Sequence, residues 1–268
     1  MPKVKANDIN LYYETHGKGA PLLLIPGLGC DSQAWLPVIN GLSNHFRIIA
    51  IDNRGAGRSD VPESPYTIRD MADDVLQLLD RLNVRSTHII GHSLGGYIAQ
   101  EFAISYPERV NRLILESTAP VSSARNNILF ECFLDWRRKG MEMEPWMRAW
   151  SFWLFTPKRF KDKDYIDAFL RECTEYPYPQ SIKGLEGQIN AISSFDARDR
   201  LGKIRAKTLA VEGKEDILIL PGEAETLAKG IPVSSMLYVG GAAHLLHMER
   251  EEELNRAILE FLQNGGRN

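Results

Sequence analysis

Ser93, Asp216 and His244 are the side chains of this 268-residue chain whose types and settings could do chemistry together. Ser93 sits in Gly91-His92-Ser93-Leu94-Gly95, after the apolar run 87–90 and before 97–103, which repeats at helical spacing. A serine on so tight a strand-to-helix turn is pushed out above a sheet. A side chain two residues before or after it would clash, so both flanks must be glycine. Asp216 closes Gly213-Lys214-Glu215-Asp216 after the apolar run 208–212, and His244 closes Gly240-Gly241-Ala242-Ala243-His244 after the run 235–239. A hydroxyl is a poor nucleophile until a base removes its proton. An imidazole, with an ordinary pKa of about 6.5, can take and return that proton at neutral pH. A carboxylate fixes the imidazole tautomer and stabilises the imidazolium. Glu215 is the alternative carboxylate, because the loop register is open at this level. His92 is locked inside the turn and cannot reach around Ser93, so it is expected to pack against the site or line it. His247 is expected behind the site or at the surface.

A carbonyl attacked by Ser93 becomes an oxyanion, which needs two N–H donors, each contributing about 3 kcal/mol. The backbone of Leu94 is the expected first donor. The second is Leu28, in the loop Pro26-Gly27-Leu28-Gly29 that follows the apolar run 21–25. The loop 52–59, with its glycines and Arg54, is read as structural bracing.

These residues must be positioned by regular elements. Strand patterns occur at 11–15, 21–25, 46–51, 87–90, 110–115, 208–212 and 235–239. The clearest helix spans 67–82, with Ile68, Met71, Ala72, Val75, Leu78, Leu79 and Leu82 on one face and an N-cap pattern at Thr67 and Asp70. Further helices are expected around 223–229 and 251–262. Alternating strand and helix predicts an α/β fold, with a mostly parallel sheet covered on both faces and right-handed crossovers. Sites on such sheets lie at the carboxyl ends of the strands, where every candidate above falls.

The alternation stops between 121 and 201. That stretch holds Trp136, Trp146, Trp150 and Trp153, four of the five tryptophans. It is read as a helical lid inserted into a core formed by 1–120 and 202–268. Trp146, Trp150 and Trp153 are expected to pack the lid, to wall a substrate pocket, or to form a lipid-facing surface.

Composition narrows the functional classes. The net charge is −3, with no basic stripe, so nucleic acid is not an expected partner. The N-terminal residues lack an apolar signal core, and no apolar run approaches about 18 residues, so no membrane span is expected. Cys30, Cys132 and Cys173 suit reduced thiols in a cytoplasm, buried as small apolar side chains. His244 and His247 lack the glutamate of a His-Glu-x-x-His site, and no phosphate-cradling glycine motif occurs. Neither metal nor other cofactor is therefore expected. The charged run 157–164 is read as a solvated helix face.

Jointly, Pro26-Gly27-Leu28-Gly29, the 52–59 loop, the Ser93 pentapeptide, Gly213-Lys214-Glu215-Asp216 and Gly241-Ala242-Ala243-His244 resemble the α/β-hydrolase superfamily over 21–116 and 207–262. Within it the chain is similar to the branch of 3-oxoadipate enol-lactonases, aminoacrylate hydrolases and biotin-pathway methyl esterases. The resemblance implies a sheet of about eight strands and a Ser93–His244–Asp216 triad, with oxyanion donors at Leu28 and Leu94. It also implies a small-molecule ester or lactone substrate. Carbon–carbon or amide hydrolysis, acyl transfer and cofactor-free perhydrolysis are open on the same triad, and so is a non-catalytic ligand-binding role. Two positions depart from the family pattern. Pro26 stands where many members have histidine, and Ala243 where glycine usually precedes the catalytic histidine.

Overall fold

Strands that are apolar along their whole length need cover on both faces. In the computed structural model, which describes residues 2–263, that requirement organises the chain. The strands are β1 (Lys3–Ala6), β2 (Ile9–His16), β3 (Ala20–Ile25), β4 (Phe46–Ile51), β5 (Thr87–His92), β6 (Val110–Glu116), β7 (Lys207–Gly213) and β8 (Ser234–Val239). Interleaved in the first half are α1 (Leu36–Leu42), α2 (Ile68–Arg81) and α3 (Leu94–Ser105). Four helices lie between β6 and β7: α4 (Ala124–Arg138), α5 (Met143–Leu154), α6 (Lys163–Glu175) and α7 (Ile182–Ser193). After β7 come α8 (Pro221–Gly230), α9 (Leu246–Glu249) and α10 (Glu251–Gln263).

The strands form one sheet in the order β1-β2-β4-β3-β5-β6-β7-β8. The pairs β1–β2 and β2–β4 are antiparallel and the rest are parallel. Successive side chains of a strand point to opposite faces. Leu23, Ile25, Ile49, Ile89 and Leu113 accordingly join one core with Met71, Val75 and Leu79 of α2 and Ile98 and Phe102 of α3. Leu22, Leu24, Ile48, Ile90 and Ile114 join the other, with Val38 and Leu42 of α1 and Leu254 and Ile258 of α10. α2 begins as expected: Thr67 and Asp70 form a reciprocal capping box, which contributes about 1 kcal/mol.

The strand pattern at 11–15 was too short. β2 starts at Ile9 and pairs with β1, a strand that the pattern missed. The reversal between them is made at Asn7, whose φ of +50° lies in the left-handed region that asparagine tolerates. The run 157–164 is not one helix face: a 3-10 turn over Arg159–Lys161 precedes α6, which Asp162 caps.

Candidate active site

β5 ends at His92 and α3 begins at Leu94, so the chain reverses on Ser93 alone. Ser93 sits at φ 52°, ψ −115°, a strain of about 1–3 kcal/mol that the surroundings must hold. The Ser93 N–H donates to Glu116 O at 3.0 Å and ties the turn to β6. The two glycines are required by contact. A Cβ on Gly95 would lie 2.0 Å from Ile25 O, and one on Gly91 would lie 2.3 Å from Gly95 O.

Asp216 and His244 come together from the ends of β7 and β8. His244 Nδ1 lies 2.8 Å from Asp216 Oδ2, and both side chains are buried. The other oxygen, Oδ1, accepts the Leu218 and Ile219 N–H groups at 2.7 and 3.0 Å, so the carboxylate cannot rotate. Glu215, the competing carboxylate, is exposed. With Nδ1 engaged, Nε2 is the nitrogen left to exchange a proton. His244 and Ser93 line the same cavity, without a direct hydrogen bond among the described residues.

A buried polar cluster lies behind this pair. His92 is buried in the turn, and its Nε2–H donates to His244 O at 3.0 Å. Burial, reinforced by His244 and His247, holds its pKa well below the ordinary histidine value. His247 is buried rather than at the surface. Its Nδ1 lies 2.7 Å from Glu116 Oε1, and its ring centroid is 5.0 Å from that of Trp35. Glu212, the penultimate residue of β7, lies beside Asp216; burial first and then that neighbour push its carboxyl well above the usual range. Both glutamates were detectable as charges closing otherwise apolar strand runs. His92, Glu116 and His247 bring one ligand atom each within 4.8 Å of one another, the one described cluster able to hold a cation. Within it His247 Nδ1 is already engaged by Glu116, and His92 Nε2 is engaged outside it by His244 O.

Leu94 opens α3, so its N–H is one of the helix-start amides with no intrahelical acceptor. Leu28 lines the cavity. Asn53 Nδ2 donates to Pro26 O at 2.9 Å, and Gly29 has φ 72°. Arg54 braces this region: its guanidinium meets both oxygens of Asp74 on α2 at 2.6 and 2.7 Å.

The cavity measures about 290 Å³ and lies between the strand ends and the helices 124–193. Trp146 and Trp150 line it and also pack α5 against α4. Trp150 stacks on Phe133 at 4.0 Å, and Trp146 Nε1 donates to Phe133 O at 2.9 Å. Trp153 does not line it. The next residue, Leu154, does line it, so Trp153 lies off the cavity-facing side of α5, and its ring is 5.8 Å from the Arg125 guanidinium. Cys30 and Cys173 face the cavity, but burial pushes both thiols up to about 12, so neither is a ready thiolate. Cys132 is exposed, against the expectation for all three cysteines. No helix among the described residues is long and apolar enough to cross a membrane.

Comparison with known proteins gives a consistent result. Residues 20–176 match a family model described as alpha/beta hydrolase fold. A protein of Azorhizobium caulinodans named "Putative carbamate hydrolase RutD" is 32% identical over 97% of this chain and 98% of its own length. The enol-lactonase of Burkholderia xenovorans superposes with a TM-score of 0.86 at 25% identity, covering 97% of this chain and 99% of that one. A thermophilic esterase from Thermogutta terrifontis gives 0.85 at 29% identity, covering 98% of both.

Proposed function

The chain belongs to the alpha/beta hydrolase fold family, and on that premise we propose that it is a cofactor-independent serine hydrolase of carboxylic esters or lactones. The observation that carries this reading is the His244–Asp216 contact at 2.8 Å, beside a serine that opens into the same cavity. In the proposed reaction, His244 Nε2 takes the Ser93 proton as Oγ attacks the carbonyl carbon. Asp216 stabilises the imidazolium. The Leu28 and Leu94 amides hold the oxyanion. His244 then gives the proton to the leaving oxygen, and water, activated by the same imidazole, releases the acid from the acyl-enzyme.

Residues 121–201 are proposed to act as a lid, or cap, that closes the cavity over this machinery. The cavity supports a substrate with a small to medium apolar portion. Beyond the reacting groups, its wall includes Phe130, Met147, Trp146, Trp150, Leu154 and Leu245, a lining suited to acyl chains. The RutD relatives favour a second reading, carbamate hydrolysis, which would run on the same triad. The apolar wall weighs against a carbamate that lacks an apolar portion. Both readings are tested by a panel of p-nitrophenyl esters of graded acyl length, lactones and carbamates. The proposal expects kcat/KM to peak at an intermediate apolar acyl chain. A preference for carbamate over every ester would support the second reading.

A further inference from the structure

The loop that carries the Leu28 N–H has no polar side chain of its own to hold it. Pro26, Gly27, Leu28 and Gly29 offer only backbone, and Gly29 is in the left-handed region at φ 72°. The loop is held from outside, on both sides of Leu28. Asn53 Nδ2 donates to Pro26 O at 2.9 Å and pins the peptide before Gly27. Gln188, fully buried on α7, accepts the Gly29 N–H on Oε1 at 3.1 Å and pins the peptide after Leu28. The peptide between these two fixed planes is the one that bears the Leu28 N–H.

Gln188 is itself immobilised. Its Nε2 donates to Arg54 O at 2.9 Å. Gln180 Nε2 donates to its Oε1 at 2.9 Å and to Gly55 O at 3.0 Å. Arg54 is anchored through Asp74 to α2. α7 is pressed so closely on this loop that a Cβ on Gly184 would lie 2.1 Å from Gly55 O. Both ends of the Gln188 amide are thus occupied, and an unpaired amide here would carry its full desolvation penalty.

We infer that Gln188, a residue of the 121–201 insertion, is a positioning residue that aims the Leu28 amide at the developing oxyanion. The inference rests on the proposed role of Leu28 as an oxyanion donor. It couples seating of the insertion to the reaction: the donor is in place only when α7 lies against the 52–59 loop. The effect belongs to the transition state, because a tilted N–H weakens contact with an oxyanion far more than it changes ground-state binding. A misplacement of about 1 Å costs on the order of 100-fold in rate.

The test compares Gln188→Met with wild type on an activated ester. The expected result is a fall in kcat of about 30- to 100-fold with KM within about threefold. Affinity for a boronic acid that mimics the tetrahedral adduct falls in parallel with kcat/KM. Ile189→Val, on the same helix, is expected to lower Tm while kcat stays at the wild-type value. If Gln188→Met lacks a cooperative thermal transition, Gln188→Asn carries the test. It is too short to span Gly29 and Arg54 and is expected to lose about tenfold in kcat. Wild-type kcat in either glutamine variant overturns the inference, as does a loss confined to KM. An equal loss in Ile189→Val overturns it too. Labelling of wild-type Ser93 by a fluorophosphonate separates the two levels. If Ser93 is labelled and Gln188→Met keeps full kcat, only this inference fails; if Ser93 is not labelled, the serine-hydrolase reading beneath it fails.

Discussion

Nδ1 of His244 lies 2.8 Å from Oδ2 of Asp216, although 28 residues separate them, and the second oxygen of Asp216 is held by two backbone N–H groups. The carboxylate thus has one orientation and the imidazole one tautomer. Asp216→Asn keeps the shape but reverses the polarity of that contact. It is expected to lower kcat by about 10³- to 10⁴-fold, while Glu215→Gln, at an exposed position, stays within twofold of wild type. Steady-state kinetics of the two variants check the choice between neighbouring carboxylates. Equal losses would show that the loop register is misassigned.

Glu212 provides a pH test that needs no substrate. Its carboxyl is held well above the usual range by burial and by Asp216. A raised pKa means that the native state keeps a proton the unfolded chain releases. The stability this gives is complete below the ordinary glutamate value and is lost as pH rises toward the folded value. Glu212→Gln keeps the neutral shape at every pH. It is therefore expected to match wild type near pH 4 and to become progressively more stable above about pH 5, by up to about 1.4 kcal/mol per pH unit. Urea midpoints measured from pH 4 to 8 check this. A constant difference across that range would mean that Glu212 is ionised in the native state.

His92 gives the opposite slope on the acid side. Burial holds its pKa well below the ordinary value, so the unfolded chain binds a proton that the native state refuses. Its contribution to stability is complete above about pH 6.5 and is lost as pH falls below that. A His92→Gln variant is expected to show a shallower loss of stability between pH 6.5 and 4.5. Thermal unfolding at half-unit steps of pH checks it; a slope identical to wild type would contradict the burial argument.

The Arg54–Asp74 pair is buried on both sides, and its geometry is two-pronged. Removing one member leaves the other charge stranded. Asp74→Ala is expected to cost about 3–5 kcal/mol, whereas the double change Arg54→Met with Asp74→Leu costs less than either single change. Denaturant unfolding of Asp74→Ala, Arg54→Met and the double variant checks the ordering.

What the sequence revealed, it revealed through local rules. The turn at Ser93 needs glycine at 91 and 95 because backbone carbonyls sit 2.3 and 2.0 Å, respectively, from the missing Cβ atoms, a demand written into five consecutive residues. The capping box of α2 and the alternating strand runs are local in the same way. Glu116, Glu212 and Gln188 acquire their surroundings only when distant elements meet. Gln188 touches Gly29 across 159 positions and Glu116 touches His247 across 131, and no periodicity encodes such pairings. Trp153 shows the converse. It follows Trp150 by three residues, yet Leu154, four residues after Trp150, is the one that reaches the pocket, so the side of α5 a residue occupies decides which side chains line it.

The central claim is that the Ser93 hydroxyl is made reactive by His244. The most direct measurement is reaction of the whole chain with a fluorophosphonate, with the modified peptide mapped by mass spectrometry and kcat measured for Ser93→Ala. The account predicts one adduct per chain, on Ser93, its loss in Ser93→Ala, slow labelling in His244→Ala, and a fall in kcat of about 10⁴- to 10⁶-fold in the serine variant. Turnover near wild type in Ser93→Ala, or an adduct on another residue with Ser93 unmodified, would contradict it.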